Sequence, residues 1–382
     1  MAKVLLVDTN FSSAPIYEEI LRMGHEVHVV GGNPQDCLAK KSLHYWNLNY
    51  ADTKQLEDLI ARECFDFIVP GCTDRSFQSC VEVGHGRFPG FDSPAVNNAI
   101  NNKALFRELA ERIGLPAPRR QKQDGPLRWP LIVKPADAFS GKGITVLRDE
   151  NYPALEGAIA LAKAASASDS FIIEDYVEGQ LHSHSAFVKN GRIIVDFVVQ
   201  EDSTANPYVV DTSHVLYDFC PEKLAQLRKS AEALAAELKL VNGLLHTQFM
   251  ANSAGVWLIE LTRRCPGDLY SQLIELSTGY HYVKSYVSSF LGQDLDSAIP
   301  EMKKNHVMRH TITVKESQHF GYLKYNRPLT IERWIPLSLV GDKLQPSPLS
   351  RIGVLFCSTN NEEALLELYQ ATLHRNLYYV AQ

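Results

Sequence analysis

Leu131-Ile132-Val133-Lys134-Pro135-Ala136-Asp137-Ala138-Phe139-Ser140-Gly141-Lys142-Gly143-Ile144-Thr145-Val146-Leu147 sets a lysine at the end of an apolar strand, runs through a small-residue loop and returns into a second apolar strand. Glycine has no side chain to interfere, so backbone amides in such a loop can approach phosphate oxygens closely. Lys134 adds a fixed positive charge at the mouth of that loop. This is not a Walker loop, because the G-x-x-x-x-G-K-[ST] spacing fails and Gly143 stands where the magnesium-ligating hydroxyl would be. Taken alone, the same residues also make a plain hairpin.

Downstream, the pattern continues with a helix around Leu155 to Ala165 and a strand Phe171-Ile172-Ile173. Strands follow at Ser185–Val188 and Ile193–Val199. A helix comes next, with Leu224, Leu227, Ala231, Leu234 and Leu238 on one face. A strand pair, Leu244 to Met250 and Gly255 to Leu261, is joined by Ala251-Asn252-Ser253-Ala254. Upstream lies a polar, proline-containing linker from Gln121 to Pro130. Before it is a helix with Leu105, Phe106, Leu109 and Ile113 on one face, closed by Gly114, with Pro116 and Pro118 preventing its continuation. The first hundred residues alternate strand and helix: Val4–Val7, a helix opened by Pro15 and ended by Gly24, His25–Val30, a helix marked by Leu56, Leu59 and Ile60, and Phe65–Val69. Short continuous apolar strands in that rhythm predict a doubly wound parallel sheet. After Gly292, strand-like runs at Thr311–Val314 and Ile331–Val340 predict further sheet packed on the central domain.

Three other places carry chemistry. The connector Glu174-Asp175-Tyr176-Val177-Glu178-Gly179 follows an apolar strand and could offer backbone groups to a planar base. Glu260 closes the apolar strand Trp257-Leu258-Ile259, where a carboxylate calls for a metal or an arginine as partner. Arg264 lies four residues on, and its planar fork suits phosphate or carboxylate. The first loop contains Thr9, Asn10, Ser12 and Ser13 at the carboxyl end of a parallel strand, a favoured ligand position, although turn and capping chemistry accounts for them equally well. That loop has no glycine, so the dinucleotide fingerprint is absent. His182 and His184 alternate on a strand and share a face; they, His214 and His246 read mainly as ordinary buried histidines, with His182 the most open to a role.

The 382 residues are enough for two or three domains, and 44 acidic against 38 basic residues give a net charge of −6, which argues against nucleic-acid binding. No apolar run approaches the roughly 20 residues of a membrane span. Seven cysteines without a C-x-x-C pair predict reduced, mostly buried thiols and a cytoplasmic location.

In order and spacing these features resemble the ATP-grasp superfamily, in particular its carbamoyl-phosphate synthetase, biotin carboxylase and amino-acid ligase branches. The resemblance runs from the N-terminal domain to about Gly279. It implies an α/β fold in three parts: a doubly wound, Rossmann-like domain over 1–95, an ATP-grasp domain over 96–300 with a small α+β lid at about 126–178 and a larger antiparallel-sheet part, and a C-terminal α+β extension over 301–382. Lys103, ahead of Gly114-Leu115-Pro116-Ala117-Pro118, matches the helix lysine on the α-phosphate, and Lys134 the second phosphate lysine. Ser140, Gly141, Lys142 and Gly143 match the lid loop. Glu174 and Val177 match the adenine hinge, with Tyr176 between them. Glu260 matches the acidic metal ligand and Arg264 the arginine that steadies the transferred phosphate.

Three positions depart from the family pattern. Gln248 replaces the usual carboxylate of the other metal strand, and Thr262 replaces the usual asparagine. Leu181 stands where some branches have a ribose-binding glutamate, leaving Glu178 or His182 to replace it. Gln248 and Thr262 still offer oxygen to hard Mg²⁺ (or Mn²⁺), with fewer charges. The function implied is an ATP-dependent ligase that joins a small-molecule carboxylate to an amine through an acyl phosphate, with Lys134 and Arg264 as catalytic residues. Activation of bicarbonate or carbamate, and nucleotide binding without catalysis, are the alternatives. Substrate specificity is expected in Thr9–Ser13, in Cys72-Thr73-Asp74-Arg75 and in Glu201 to His214. A homodimer is left open.

Overall fold

The computed structural model describes residues 1–138, 141–295 and 301–382. Among them, no helix is long and apolar enough to cross a membrane. Of the seven cysteines, all free, Cys37 and Cys64 are exposed and Cys220 is half-buried, so the expected burial holds only for Cys72, Cys80, Cys265 and Cys357.

The N-terminal sheet is parallel, in the order Tyr45–Asn47, Glu26–Gly31, Lys3–Val7, Phe67–Pro70. Its centre is apolar because helices cover both faces: Val4, Leu5, Leu6 and Val7 are fully buried. Pro15 sits in the first turn of the helix Ala14–Arg22. Asp52 caps Thr53–Glu63 by accepting from the Gln55 amide at 3.1 Å. The carboxyl ends of Lys3–Val7 and Phe67–Pro70 lead into the loops at Asn10 and Thr73, so the parallel architecture aims both loops the same way.

A second, four-stranded sheet orders Arg120–Gln121, Phe171–Asp175, Leu131–Pro135 and Thr145–Leu147, with the helix Tyr152–Ala165 against it. It has a core of its own, built on Leu131, Val133, Leu155, Ala158, Ile159, Ala162 and Ile173.

The third sheet has eight strands, in the order Gly255–Thr262, Gly243–Asn252, Gln180–Lys189, Arg192–Asp202, Thr212–Leu216, His306–Ile312, Gly353–Thr359, Thr330–Pro336. All its neighbouring pairs are antiparallel. The C-terminal strands therefore lengthen this sheet by its free edge. One face carries Val188, Val198, Leu245 and Phe249 against the helix Pro221–Leu238. The other carries Phe187, Val195, Phe197, Val199 and Leu244, which join Tyr270, Tyr282 and the N-terminal sheet in one continuous apolar cluster. Each such side chain, fully buried, is worth roughly 1.5–3 kcal/mol. The contact between the large sheet and the N-terminal sheet is thus core rather than a polar seam, and it holds the site's two walls in register.

Candidate nucleotide and substrate site

A cavity of about 560 Å³ opens where the three sheets meet. Its walls include Asn10, Ser12, Thr73 and Asp74 from the N-terminal part, and Lys103, Lys134, Gly141 and Lys142 from the helix and lid. The large sheet adds Glu201, His246, Gln248, Glu260, Thr262 and Arg264, and the C-terminal strands and loops add Thr311, Thr313 and Arg351. Ser140 lies outside the described residues.

Lys103 is the first residue of its helix, whose cap Asn102 accepts from the amides of Ala104 and Leu105. A cation at a helix N-terminus opposes the macrodipole. It is tolerated because the ammonium donates to the Ala138 carbonyl at 2.9 Å and lies 3.6 Å from Glu260. A choice that is unfavourable locally marks a functional position. Lys134 is buried and donates to Glu174 at 3.2 Å. Burial lowers the Lys134 pKa. Arg107 lies 3.2 Å from the same carboxylate and also donates to the Ile259 carbonyl at 2.8 Å. Burial alone would push the Glu174 carboxyl up, but Lys134 and Arg107 hold it below the ordinary range. The Glu174 side chain thus belongs to a buried ion triad, with its backbone in the sheet pairing Ile132 and Arg120. Arg107 was not anticipated, although it follows Lys103 by one helical turn and so shares its face.

The lid glycines have steric reasons. Gly141 and Gly143 both take φ of +69°. A Cβ on Gly143 would come within 2.7 Å of the Ala165 Cβ, and one on Gly141 would clash with Tyr208. Lys142, between them, lines the cavity. Tyr176, Val177 and Glu178 are not among the described residues lining it. Glu178 is exposed and paired with Arg148 at 2.6 Å, and the Arg148 guanidinium lies over the Tyr176 ring.

Gln248 and Glu260 are direct partners across two antiparallel strands, and Thr262 pairs with His246 two residues along, so all four share the cavity face. A strand irregularity follows immediately, between Gln248 and Phe249. A carboxylate, an amide oxygen and a hydroxyl converging there form an oxygen donor set that fits a hard cation. The Gln248 amide donates to Glu201 at 2.7 Å. Glu201 is fully buried, and burial, reinforced by the nearby Asp268 charge, raises its pKa to about 7.

Another group of ligand types lies elsewhere: Glu26, His28 and His44 bring ligand atoms within 4.8 Å of one another. There Trp46 donates to Nδ1 of His28 at 3.1 Å, so Nε2 carries the proton that it shares with Glu26 at 2.6 Å. A metal on Nε2 would have to displace both, and the donor set does not fit one.

The register of the large sheet turns His182 and His214 away from the cavity. His182 stacks on Phe249, 5.2 Å between centroids, and His214 meets Tyr369 edge to face. Burial lowers each to a pKa of about 4. Arg264 reaches across to the N-terminal part and grips Asp74 through two bonds, 2.6 and 2.9 Å. Asp74 more than offsets the effect of burial and raises the Arg264 pKa. Two predicted residues, 190 positions apart, are thereby joined.

Thr9 and Ser13 are drawn inward: Thr9 bonds Asp36 at 2.7 Å, and Ser13 bonds Asp8 at 2.8 Å while accepting from the Cys72 amide. Asn10 and Ser12 line the cavity. Thr73 caps the helix Asp74–Gly84, and Arg75 faces a separate small hollow with Gln78 and Glu82. Asp268, Arg309 and Arg351 were not foreseen. Arg309 is fully buried and pairs with Asp268 at 3.0 Å. Arg351 lies over the Phe11 ring at 5.9 Å, and among the described residues its guanidinium forms no hydrogen bond or ion pair. No local pattern marks these residues, since they converge only through the sheet.

Residues 127–272 match the family described as ATP-grasp domain. The chain carries an ATP-grasp domain. Over 193 residues it is 25% identical to the carbamoyl phosphate synthase large chain of Deinococcus deserti, covering 45% of this chain and 18% of that one. Over 188 residues it is 29% identical to the formate-dependent phosphoribosylglycinamide formyltransferase of Pelobacter propionicus, covering 46% and 47%. The chain thus spans less than half the length of these relatives. Among solved structures, the L-amino acid ligase from Bacillus licheniformis superposes with a TM-score of 0.80 at 16% identity, over 100% of this chain and 99% of that one, so the two share a fold over their whole lengths.

Proposed function

We propose that this ATP-grasp protein is an ATP-dependent carboxylate–amine ligase that forms an amide bond through an acyl phosphate and releases ADP and phosphate. The observation that carries this is one cavity holding Lys103, Lys134, Lys142, Gln248, Glu260 and Thr262 beside a second, differently charged end at Asp268 and Arg351. Phosphoryl transfer asks a protein for positioning and charge neutralisation. Lys103 and Lys134 supply charge for the nucleotide phosphates, and the lid with Gly141 and Gly143 excludes water, which would otherwise consume an acyl phosphate. Mg²⁺ (or Mn²⁺) would be held by Glu260, Gln248 and Thr262 and would neutralise phosphate oxygens. Arg264 steadies the transferring phosphate only if its clasp on Asp74 opens, which makes that contact a gate between the two ends of the site.

Similarity to an L-amino acid ligase and to carbamoyl phosphate synthase supports two acceptor chemistries. The first is an amino-acid carboxylate joined to an amine. The second, bicarbonate or carbamate activation, rests on the sequence relatives. The test is ADP and phosphate release across a panel of amino acids and sugar acids, with mass detection of the coupled product. Release with bicarbonate alone selects the second chemistry, and ATP binding without turnover on any member selects loss of catalysis. Lys134→Ala and Glu260→Ala should each cut release by about 10²-fold or more. Full release in both variants refutes the assignment.

A further inference from the structure

We infer that Glu201 is the positioning residue for Gln248 and returns to the metal-holding face the negative charge that a glutamine at this place removes. The inference rests on the nucleotide and metal reading above. Glu201 is carried by the strand Arg192–Asp202, two strands away from Gln248, with Gln180–Lys189 between them. Its side chain crosses the intervening strand beside Ser183 and accepts the Gln248 amide at 2.7 Å. Both residues line the same cavity.

Three physical points follow. The Gln248 NH₂ donates to a Glu201 oxygen at 2.7 Å, so the carbonyl oxygen of the same amide is the atom turned away from Glu201. Glu260 is the partner of Gln248 across the next strand, so the freed oxygen stays on the face that Glu260 and Thr262 share. Glu201 is buried and has no ion-pair partner among the described residues, and the like charge of Asp268 acts on it more strongly than the opposite charge of Arg309. A buried carboxylate in that position is costly unless a cation arrives. A cation beside Gln248 and Glu260 meets both needs at once: it gains a fixed carbonyl ligand and offsets the Glu201 charge. Outer-shell carboxylates that orient ligands in this manner shift metal affinity by about 10–100-fold.

The experiment is an electron paramagnetic resonance titration of Mn²⁺ in the presence of ADP, with ADP binding in EDTA measured alongside. Compared are the wild type, E201Q and the exchange variant E201Q/Q248E. E201Q should weaken Mn²⁺ binding by about tenfold or more while ADP binding in EDTA is kept. The exchange variant reverses donor and acceptor across the same bond, and should return to within about tenfold of wild type and bind more tightly than E201Q. Wild-type affinity in E201Q overturns the inference alone. An exchange variant no better than E201Q also overturns it. Should E201Q fail to fold, the exchange variant decides by the same tenfold limit. Absence of Mn²⁺ binding to the wild type with ADP overturns the metal site itself, and this inference with it.

Discussion

The two ends of the cavity handle charge in opposite ways. At the nucleotide end the cations are already paired: Lys134 and Arg107 on Glu174, and Lys103 beside Glu260. At the other end Arg351 forms no hydrogen bond or ion pair through its guanidinium among the described residues and lies over the Phe11 ring at 5.9 Å. An ionised carboxylate as deeply buried as Glu174 needs its cations, so the first set serves folding and ligand together. An open cation at a cavity mouth costs little to keep and serves a ligand only. Variants at the two ends should therefore fail differently, one in stability and one in affinity.

The largest effect is expected from Arg107→Ala. It leaves Glu174, fully buried, with Lys134 as its remaining charged partner, and should destabilise the protein by about 3–5 kcal/mol. Urea unfolding measures this. A loss below about 1 kcal/mol would mean that the nucleotide end is no more dependent on its pairing than the open end.

A second test uses pH. His182 is buried and its pKa is lowered to about 4 from an ordinary value of 6.5. A histidine depressed in the folded state adds stability above its unfolded pKa, and that stability is lost as pH falls from about 6.5 towards 4. The difference amounts to about 3 kcal/mol. His182→Gln should flatten the stability curve over that window by about one proton. ADP affinity should stay unchanged, because the ring packs on Phe249 and Phe219, on the far face from the cavity. A large loss of ADP affinity would move His182 back into the nucleotide end.

What could be read from residue order was local. The parallel N-terminal sheet followed from short apolar strands alternating with helices, because covering both faces of a sheet leaves a mark in each strand. Lys103, Lys134, Glu260 and the lid glycines sit at ends and turns, where spacing shows. The Glu174 triad, the Arg264–Asp74 clasp and the Glu201–Gln248 bond could not be read, because each joins segments 40 to 190 residues apart. Which face of a strand meets the cavity was also hidden. Alternation showed that His182 and His184 share a face, but only the register with Gly243–Asn252 tells that it is the helix-covered one. The C-terminal strands were read as further sheet, and only pairing shows that they lengthen the large one and bring Arg351 to the cavity.

A smaller effect is expected in the lid. Gly143→Ala meets two obstacles, a left-handed backbone and the Ala165 Cβ at 2.7 Å. The backbone conformation alone costs about 1–2 kcal/mol. The loss should be confined to the lid, where faster amide exchange or proteolysis at 141–145 would report it. An unchanged lid would mean that Ala165 and its helix yield.

The smallest expected change tests the open end directly. Arg351→Ala removes a guanidinium that no described acid holds, so unfolding should shift by no more than about 0.5 kcal/mol, the ordinary range for an exposed position. If Arg351 anchors an anionic part of the acceptor, the KM for that acceptor should rise by about tenfold, and ADP affinity should not move. The comparison sharpens if R351A raises KM with ADP binding intact while R107A lowers stability. It breaks if R351A weakens ADP binding as well, because the open cation would then belong to the nucleotide, and the two ends would be one phosphate site extended across the cavity.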